Sequence, residues 1–323
     1  MRASDAAVEI RALPVGAEVL GLVEGAERDP AIRAALYRAW LDHALLIFRN
    51  INTIERHLAL SRCFGELEIH PMPEVRAAQS PYLITLGGKT RGPAYVFDGE
   101  LRINRVPWHR DTAYTPDLCK GAMLRMLEVP EHEGETLVAD TAQAYDDLPA
   151  EMKTRLGTLE YKATLRLGPI TQTRPGALWK TVRLATDQED PGGPRHNEDR
   201  PEVIARYPSV VHPAVLTHPE SGRRCIFLSP TYVDHFLGIE QSDSDDLLAY
   251  LVRHMLQPRY IYRHKWLVDD ALIWDNRRCM HAGMGNQLNE PRWGLRTTLA
   301  GPMAVGRYFQ DGASAPDLPR LPD

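Results

Sequence analysis

The stretch WHRDTAYTPD, residues 108–117, is the most informative part of this chain. On an extended strand, residues two apart project on the same side, so His109 and Asp111 can bind one metal ion while Arg110 points away. A third ligand stands far downstream, at His281 within WDNRRCMHAG. Because His281 can reach the same ion only from an adjacent strand, these residues predict a sheet whose neighbouring strands are distant in sequence.

The ligand set itself indicates the chemistry. Two imidazoles and one carboxylate, with no cysteine, suit iron(II) with open coordination positions, as in the facial triad of non-haem iron oxygenases. The residues alone leave two other interpretations open: a zinc-dependent hydrolase with the same ligands, and a β-barrel binding or structural protein with a vestigial triad. A histidine two residues before an aspartate is weak support by itself, since the chain has 12 histidines.

Composition restricts the class of protein. The chain has 323 residues, 43% hydrophobic and 25% charged, which is typical of a globular protein. Its net charge of -5 argues against a nucleic-acid partner, which requires a basic surface. The four scattered cysteines indicate reduced thiols, and we see no signal peptide and no apolar run long enough to span a membrane. The expected compartment is the cytoplasm, with no membrane partner.

Short apolar, β-branched runs recur along the chain and predict strands. They lie at 44–48, 82–86, 93–97, around Trp108, and at 136–140, 259–266, 271–276 and 296–301. Helices are predicted after Asp29 and Thr53, over 141–156, and after a capping Ser244. No regular alternation of strand and helix indicates a parallel sheet. The predicted fold class is therefore mainly β (α+β), an antiparallel core with flanking helices.

The segment 166–209 interrupts this pattern. It is rich in proline, glycine and charge, and includes EDPGGPRHNEDRP. Long irregular connections in compact domains are usually functional lids or disordered segments, so we expect a lid or a passive surface insertion. The predicted organisation is one domain over 1–308, with 309–323 as a C-terminal tail.

Two arginines suggest an anionic ligand. Arg292 and Arg296 in PRWGLRTTL are four apart, so on one strand they share a face. Guanidinium groups bind carboxylates through two parallel hydrogen bonds, which suits a buried anion site. The alternative is a pair of surface arginines in salt bridges. Thr136 and His70, taken alone, indicate only a strand threonine and a loop histidine.

Several separated segments together resemble the TauD/TfdA family of iron(II)- and 2-oxoglutarate-dependent dioxygenases. The resemblance runs from about residue 10 to 308, and its motifs occur in the family's order. The segments that carry it are FRNINTIERHLALSRCFGELEIHP, WHRDTAYTPD, VPEHEGETLVADTAQAYDDLP, HPAVLTHPESGRRCIFLSP, ALIWDNRRCMHAG and PRWGLRTTLAGP. It implies a double-stranded β-helix, or jelly-roll, core. The chain departs from the family at Glu133, where a glycine is frequent, and at Arg110, where a small polar residue is frequent.

The resemblance implies a role for each matching residue. His109, Asp111 and His281 would bind Fe(II). Thr136 and Arg292 would hold the distal carboxylate of 2-oxoglutarate, with Trp274 in the same cosubstrate pocket. The expected substrate-binding residues are Arg296, His70, Tyr114 and Arg105.

The resemblance also implies the reaction. The cosubstrate 2-oxoglutarate takes two metal positions and dioxygen (O2) the third, and a C–H bond is hydroxylated with release of succinate and CO2. An aspartate at 111 disfavours halogen transfer, which needs a small residue there. Arg296 and His70 suggest a small substrate with a carboxylate, sulfonate or sulfate. If Arg296 only supports Arg292 or the cosubstrate, a neutral natural-product intermediate fits instead, and the same chemistry would hydroxylate, desaturate or cyclise it. A homodimer or homotetramer is also implied.

Overall fold

The computed structural model describes residues 8–70, 75–87, 92–166, 181–193, 204–301 and 303–310. The α-helices of these residues are α1 (Pro30–His43), α2 (Ile54–Ser61), α3 (Thr141–Asp146), α4 (Ala150–Leu156) and α5 (Gln241–Met255). Single 3-10 turns occupy Ala26–Arg28 and Pro258–Tyr260. None of these helices is both long and apolar enough to cross a membrane.

The first helix follows the predicted signals. The side chain of Asp29 accepts a hydrogen bond from the amide of Ala31 at 2.7 Å, and Pro30 occupies the first helical turn. Leu36 and Trp40 on one face are fully buried. The helix ends where Ala44 adopts a left-handed conformation, with φ at 62°.

The predicted cap of the last helix is wrong. Helix α5 begins at Gln241, so Ser244 lies inside it. The hydroxyl of Ser244 instead accepts a hydrogen bond from the amide of Phe236 at 2.8 Å, which fastens the helix to the preceding strand. Leu251 and Met255 are fully buried on one face, as predicted.

The strands are short and numerous. The first twelve are β1 (Glu9–Ala12), β2 (Ala17–Leu20), β3 (Leu45–Phe48), β4 (Leu67–Glu68), β5 (Arg76–Ala77), β6 (Ser80–Gly87), β7 (Tyr95–Phe97), β8 (Glu100–His109), β9 (Asp117–Leu118), β10 (Gly121–Glu128), β11 (Thr136–Asp140) and β12 (Glu160–Ala163). The others are β13 (Val182–Leu184), β14 (Val210–Pro213), β15 (Val215–Thr217), β16 (Arg224–Ile226), β17 (Val233–Phe236), β18 (Ile261–His264), β19 (Ala271–Asp275), β20 (Cys279–Asn286), β21 (Trp293–Leu299), β22 (Met303–Ala304) and β23 (Arg307–Tyr308).

Two sheets form the core of the fold. The larger has the order β1-β2-β3-β19-β10-β21-β6-β5, with β4 also paired to β21. The smaller has the order β13-β7-β8-β20-β11-β18. Their strands pair in antiparallel fashion, apart from β2 and β3, which run parallel. This arrangement confirms the mainly β, jelly-roll prediction.

Alternation along β11 and β20 explains how the sheets pack. Val138 and Cys279 lie in one apolar cluster with Leu124 and Trp274 of the larger sheet. The next residue along the chain in each case, Ala139 and Met280, lies in a different cluster on the opposite face, together with α5. Because His281 has the same parity as Cys279, its side chain faces the larger sheet.

The predicted insertion is described in part. Strand β13 pairs with β7 in antiparallel register, Val182 opposite Phe97, so this piece of 166–209 extends the smaller sheet. Most of the remainder, 167–180 and 194–203, lies outside the described residues, and so do residues 311–323 of the predicted tail. The lid and the single-domain organisation therefore stay predictions.

Candidate metal and cosubstrate site

The three predicted metal ligands come together at the end of β8. His109 is the last residue of that strand and lies opposite His281 of β20, while Asp111 follows two residues later. One ligand atom from each residue lies within 4.8 Å of the other two. Nε2 of His109 is 3.5 Å from Asp111 Oδ1, and Nε2 of His281 is 3.8 Å from Asp111 Oδ2. Three convergent donor atoms at this separation fit one bound metal ion.

Hydrogen bonding and burial prepare both imidazoles for a metal. Nδ1 of His109 lies 2.8 Å from the carbonyl oxygen of Pro107, which can only accept, so Nδ1 carries the proton and Nε2 keeps its lone pair. Burial, reinforced by the neighbouring His109, holds the pKa of His281 well below its usual range. A neutral imidazole is the form that binds metals.

Asp111 is held as a carboxylate. Burial alone would raise its pKa, but the guanidinium of Arg296 more than offsets burial, and the net pKa lies well below the usual range. Arg296 Nη2 is 2.9 Å from Asp111 Oδ2. The side chain of Asn276 also fixes the backbone of Asp111, since its Oδ1 accepts from the Asp111 amide at 2.9 Å and its Nδ2 donates to the Asp111 carbonyl at 2.8 Å.

Arg110 points away from the other two, as the alternation predicts, into a fully buried position. Its guanidinium donates to Thr141 Oγ1 and to backbone carbonyls on both sides of the site, which belong to Ile226, Leu228, Asn276, Arg278 and Cys279. The carbonyl of Cys279 is two residues before His281, so one side chain links the segments that carry all three ligands. Nothing in the sequence indicated this role beyond the position between two ligands.

The larger sheet supplies the opposite wall. The ring centroids of Trp274 in β19 and His281 are 4.5 Å apart. Arg296 in β21 lies with its Cζ 5.9 Å from the Trp274 ring. Trp274 is thus next to His281, a predicted metal ligand, and Arg296 joins the two walls through Asp111.

Arg292 and Thr136, the two residues predicted to hold the cosubstrate carboxylate, lie close together. Arg292 comes directly before β21 rather than within it, and its Nε donates to the carbonyl of Gly134 at 3.0 Å. Its Nη2 lies 3.5 Å from Thr136 Oγ1. Arg292 is 8% exposed, and burial alone lowers its pKa to about 10. No acidic side chain of the described residues pairs with this guanidinium, so the pocket fits a carboxylate from a ligand.

The turn before β11 depends on one glycine. Gly134 has a φ of 77°, and a Cβ there would lie 2.4 Å from Cγ of Pro130. The preceding Glu133, also at positive φ, takes the place where the family often has a second glycine. Its side chain binds Arg102 at 2.8 Å instead of entering the site.

Sequence reasoning missed Trp266. Its indole Nε1 donates to Thr136 Oγ1 at 3.1 Å. Tyr207 and Tyr232 were missed as well: each ring packs edge-on against the predicted pocket residue Tyr114, with centroids 5.2 Å apart. No local sequence pattern predicts these contacts, because all three pairs join segments that are far apart in sequence.

Two predicted substrate residues, His70 and Arg105, make contacts outside the triad. His70 is half-buried, and its carbonyl accepts from Arg76 Nε at 2.7 Å. Arg105 has its Cζ 5.1 Å from the Phe97 ring centroid. A β-bulge in β8 brings Val106 opposite Gly283 and Arg105 opposite Met284, which places Arg105 out of phase with His281. Their roles stay predictions.

Comparison with known proteins gives consistent results. A model of the taurine catabolism dioxygenase TauD, TfdA family matches residues 9–298. The (S)-phenoxypropionate/alpha-ketoglutarate-dioxygenase of Sphingobium herbicidovorans is 30% identical over 287 residues, covering 88% of this chain and 92% of the relative. The alpha-ketoglutarate-dependent sulfate ester dioxygenase of Pseudomonas putida is 28% identical over 295 residues, covering 90% and 88%.

A solved structure shares the fold. The putative alpha-ketoglutarate-dependent taurine dioxygenase from Burkholderia xenovorans superposes with a TM-score of 0.71, at 22% identity, over 95% of this chain and all of the other. The family match spans both metal motifs and the arginine strand. The chain therefore belongs to the taurine catabolism dioxygenase TauD, TfdA family.

Proposed function

We propose that this protein is an Fe(II)- and 2-oxoglutarate-dependent dioxygenase that hydroxylates a C–H bond of a small organic anion. The balanced reaction converts substrate R–H, 2-oxoglutarate and O2 into R–OH, succinate and CO2. One observation carries the proposal: three ligand atoms converge within 4.8 Å, and Thr136 on the strand paired with that of His281 holds Arg292, a buried guanidinium with no acidic partner among the described residues.

His109, Asp111 and His281 would hold the iron. Two neutral imidazoles and one ionised carboxylate leave coordination positions for other ligands, which suits iron(II) oxygenases. The iron, when bound, supplies the activation of dioxygen, and the protein supplies position and charge. The carboxylate of Asp111 is retained, so the proposal is oxygen transfer rather than halogen transfer.

Arg292 and Thr136 would hold the distal carboxylate of 2-oxoglutarate. A guanidinium that is 8% exposed is costly to bury without an anion, and a carboxylate would offset that cost through charge-assisted hydrogen bonds. A zinc hydrolase would have no use for this second cationic site. The names of both relatives specify alpha-ketoglutarate. Trp274, packed against His281, completes this side of the pocket.

Arg296 supports an anionic substrate. One end of its guanidinium pairs with Asp111, while its buried Nε has no hydrogen-bond acceptor among the described residues. A substrate carboxylate or sulfate near this N–H would supply the acceptor. The relatives named above act on a phenoxypropionate and on sulfate esters. Tyr114 and His70 are the other proposed substrate contacts, whereas the β-bulge turns the predicted contact Arg105 to the face of β8 opposite to that of His281.

The proposal extends to a cytoplasmic homodimer or homotetramer. All four cysteines are free and buried, which fits a reducing compartment. Light scattering on the purified protein would give the oligomeric state directly.

The decisive experiment adds Fe(II) and then 2-oxoglutarate to the protein without oxygen. We expect the weak visible charge-transfer band that arises when a 2-oxo acid chelates iron(II), and we expect Asp111→Asn to lack it. If no band forms while the protein binds zinc tightly and hydrolyses esters, the zinc hydrolase interpretation replaces this one.

The substrate class is tested next by succinate release. A panel of aryloxyalkanoates, alkyl sulfates and alkyl sulfonates would be compared with neutral methyl esters or amides of the same skeletons. We expect anions to stimulate succinate release and their neutral analogues not to do so. Equal stimulation by a neutral analogue would contradict the role of Arg296.

A further inference from the structure

We propose that Trp266 is a positioning residue that fixes the hydroxyl of Thr136 as a hydrogen-bond donor toward the cosubstrate carboxylate. This inference rests on the proposed function, because it concerns how 2-oxoglutarate is held. Among the described residues its hydrogen bond goes to Thr136 rather than to a proposed metal ligand. It acts through Thr136, to which its indole donates at 3.1 Å.

The chemistry follows from counting donors and acceptors on one oxygen. A threonine hydroxyl has one proton to donate and two lone pairs to accept with, and it normally rotates to suit its neighbours. Here Trp266 Nε1 donates to Thr136 Oγ1 at 3.1 Å, and Arg292 Nη2 approaches the same oxygen at 3.5 Å. Two N–H groups therefore occupy both lone pairs. The hydroxyl is left with only its proton to offer, which is what an incoming carboxylate requires.

The surroundings of Trp266 keep its indole in place. The residue is 5% exposed and follows β18, whose last residue His264 lies opposite Thr136 in the register. The His264 ring packs edge-on against Trp266, with centroids 4.4 Å apart and an interplanar angle of 84°. A fixed donor costs less conformational entropy on ligand binding than a rotating one.

His264 is itself held by two hydrogen bonds. Its Nδ1 lies 3.0 Å from the hydroxyl of Tyr262, and its Nε2 lies 3.2 Å from a carboxylate oxygen of Asp270. The same Asp270 oxygen accepts from the amide of Leu267 at 2.9 Å, so it also anchors the backbone that follows Trp266. The orientation of the indole is thus set from both the ring side and the chain side.

The test removes the indole N–H, and the volume lost with the fused ring is matched in the control. Trp266→Phe keeps an aromatic ring in the cluster but cannot donate to Thr136. Trp40→Phe is the matched control, because Trp40 is fully buried and its indole nitrogen has no hydrogen-bond partner among the described residues. We expect Trp266→Phe to raise the KM for 2-oxoglutarate, and its Kd measured by calorimetry on the Mn(II)-loaded protein, about 3- to 10-fold. The kcat, the Mn(II) affinity and all values of Trp40→Phe should stay within twofold of wild type.

A double variant distinguishes positioning from general destabilisation. If Trp266 acts through Thr136, adding Trp266→Phe to Thr136→Val should weaken 2-oxoglutarate binding no further. An unchanged Kd in Trp266→Phe, additive losses in the double variant, or an equal loss in Trp40→Phe would each overturn the inference. Failure of the wild-type protein to bind 2-oxoglutarate would instead overturn the proposed function, and this inference with it.

Discussion

Arg296 Nη2 lies 2.9 Å from Oδ2 of Asp111, and this ion pair joins the larger sheet to the proposed metal site at the end of β8. Arg296 comes from β21, and Asp111 follows β8. Because the guanidinium lowers the pKa of Asp111, the carboxylate stays ionised despite its burial. In the proposed function the same guanidinium also binds the substrate, so it would serve the metal site and the substrate site together.

The two arginines of this region should separate by function. Arg292→Gln removes a charge-assisted contact with 2-oxoglutarate, so we expect its KM to rise about 10- to 100-fold while the KM for an anionic substrate changes little. Arg296→Gln should raise the KM for an anionic substrate and leave the KM for 2-oxoglutarate little changed. Both values come from succinate release with the other reactant saturating. If Arg296→Gln raises the 2-oxoglutarate requirement and Arg292→Gln does not, the two assignments are exchanged.

Asp111→Asn tests the metal site with the least change in shape. The amide cannot supply the negative charge that two neutral imidazoles need beside a divalent cation. We expect the Kd for Mn(II), measured by calorimetry, to rise beyond the roughly 10- to 100-fold loss typical of an outer hydrogen-bonding partner. Succinate formation should cease, as it should in His109→Ala. Asp117→Asn, an exposed neighbour on the same segment, is the control and should bind Mn(II) like wild type.

Arg110→Met tests the buried guanidinium. Methionine fills similar space but leaves the carbonyls of Ile226, Asn276 and Cys279 without their donor. We expect the free energy of unfolding in urea to fall by about 3–5 kcal/mol. Arg155→Met, at an exposed helical site, should change it by less than about 0.5 kcal/mol. A loss at Arg110 as small as that at Arg155 would show that the carbonyl network contributes little.

Buried histidines predict how stability depends on pH. Burial lowers the pKa of His57 to about 3 and that of His212 to about 4, from an ordinary value of 6.5. Between these values the unfolded chain binds a proton that the folded protein does not, so stability falls as pH drops below 6.5 and gains nothing from these groups above it. Each should contribute a loss of about 1.5 kcal/mol between pH 6.5 and 5.

Urea unfolding of the chelator-treated protein at several pH values would check this. Carboxylates with lowered pKa, such as Asp275, titrate below this window. The measured slope is that of the free energy of unfolding against pH. His57→Gln and His212→Gln should each reduce it by roughly 1.4 kcal/mol per pH unit, which corresponds to the uptake of one proton. An unchanged slope in either variant would mean that the corresponding imidazole is protonated in the folded state.

The sequence predicted those parts of the site that depend on short-range alternation or on family motifs. His109, Asp111 and His281 converge as the strand periodicity and the downstream motif indicated. Thr136 and Arg292 likewise lie together. These positions follow from strand parity and from motifs that keep their spacing.

The contacts that sequence reasoning missed depend on packing between distant segments. Trp266 stands in RHKWLVDD with no local signal that its indole would reach Thr136, 130 positions away. Ser244 fits the local pattern of a helix cap, but its hydroxyl accepts a hydrogen bond from the amide of Phe236 in the preceding strand instead. In both cases a tertiary partner outweighs a local preference, and only the folded chain reveals that partner.

The β-bulge in β8 adds one residue to the strand and so reverses which side chains before it face the site. Counting back in twos from His109 would point Arg105 into the pocket, yet the extra residue puts Val106 opposite Gly283 instead. Because of this extra residue, β8 can end in the proposed metal ligand His109 while Val106, rather than Arg105, faces the same side of the sheet earlier in the strand. Redesign of this wall for a different substrate would begin at Val106, and deletion of one bulge residue would exchange the whole lining without touching a ligand.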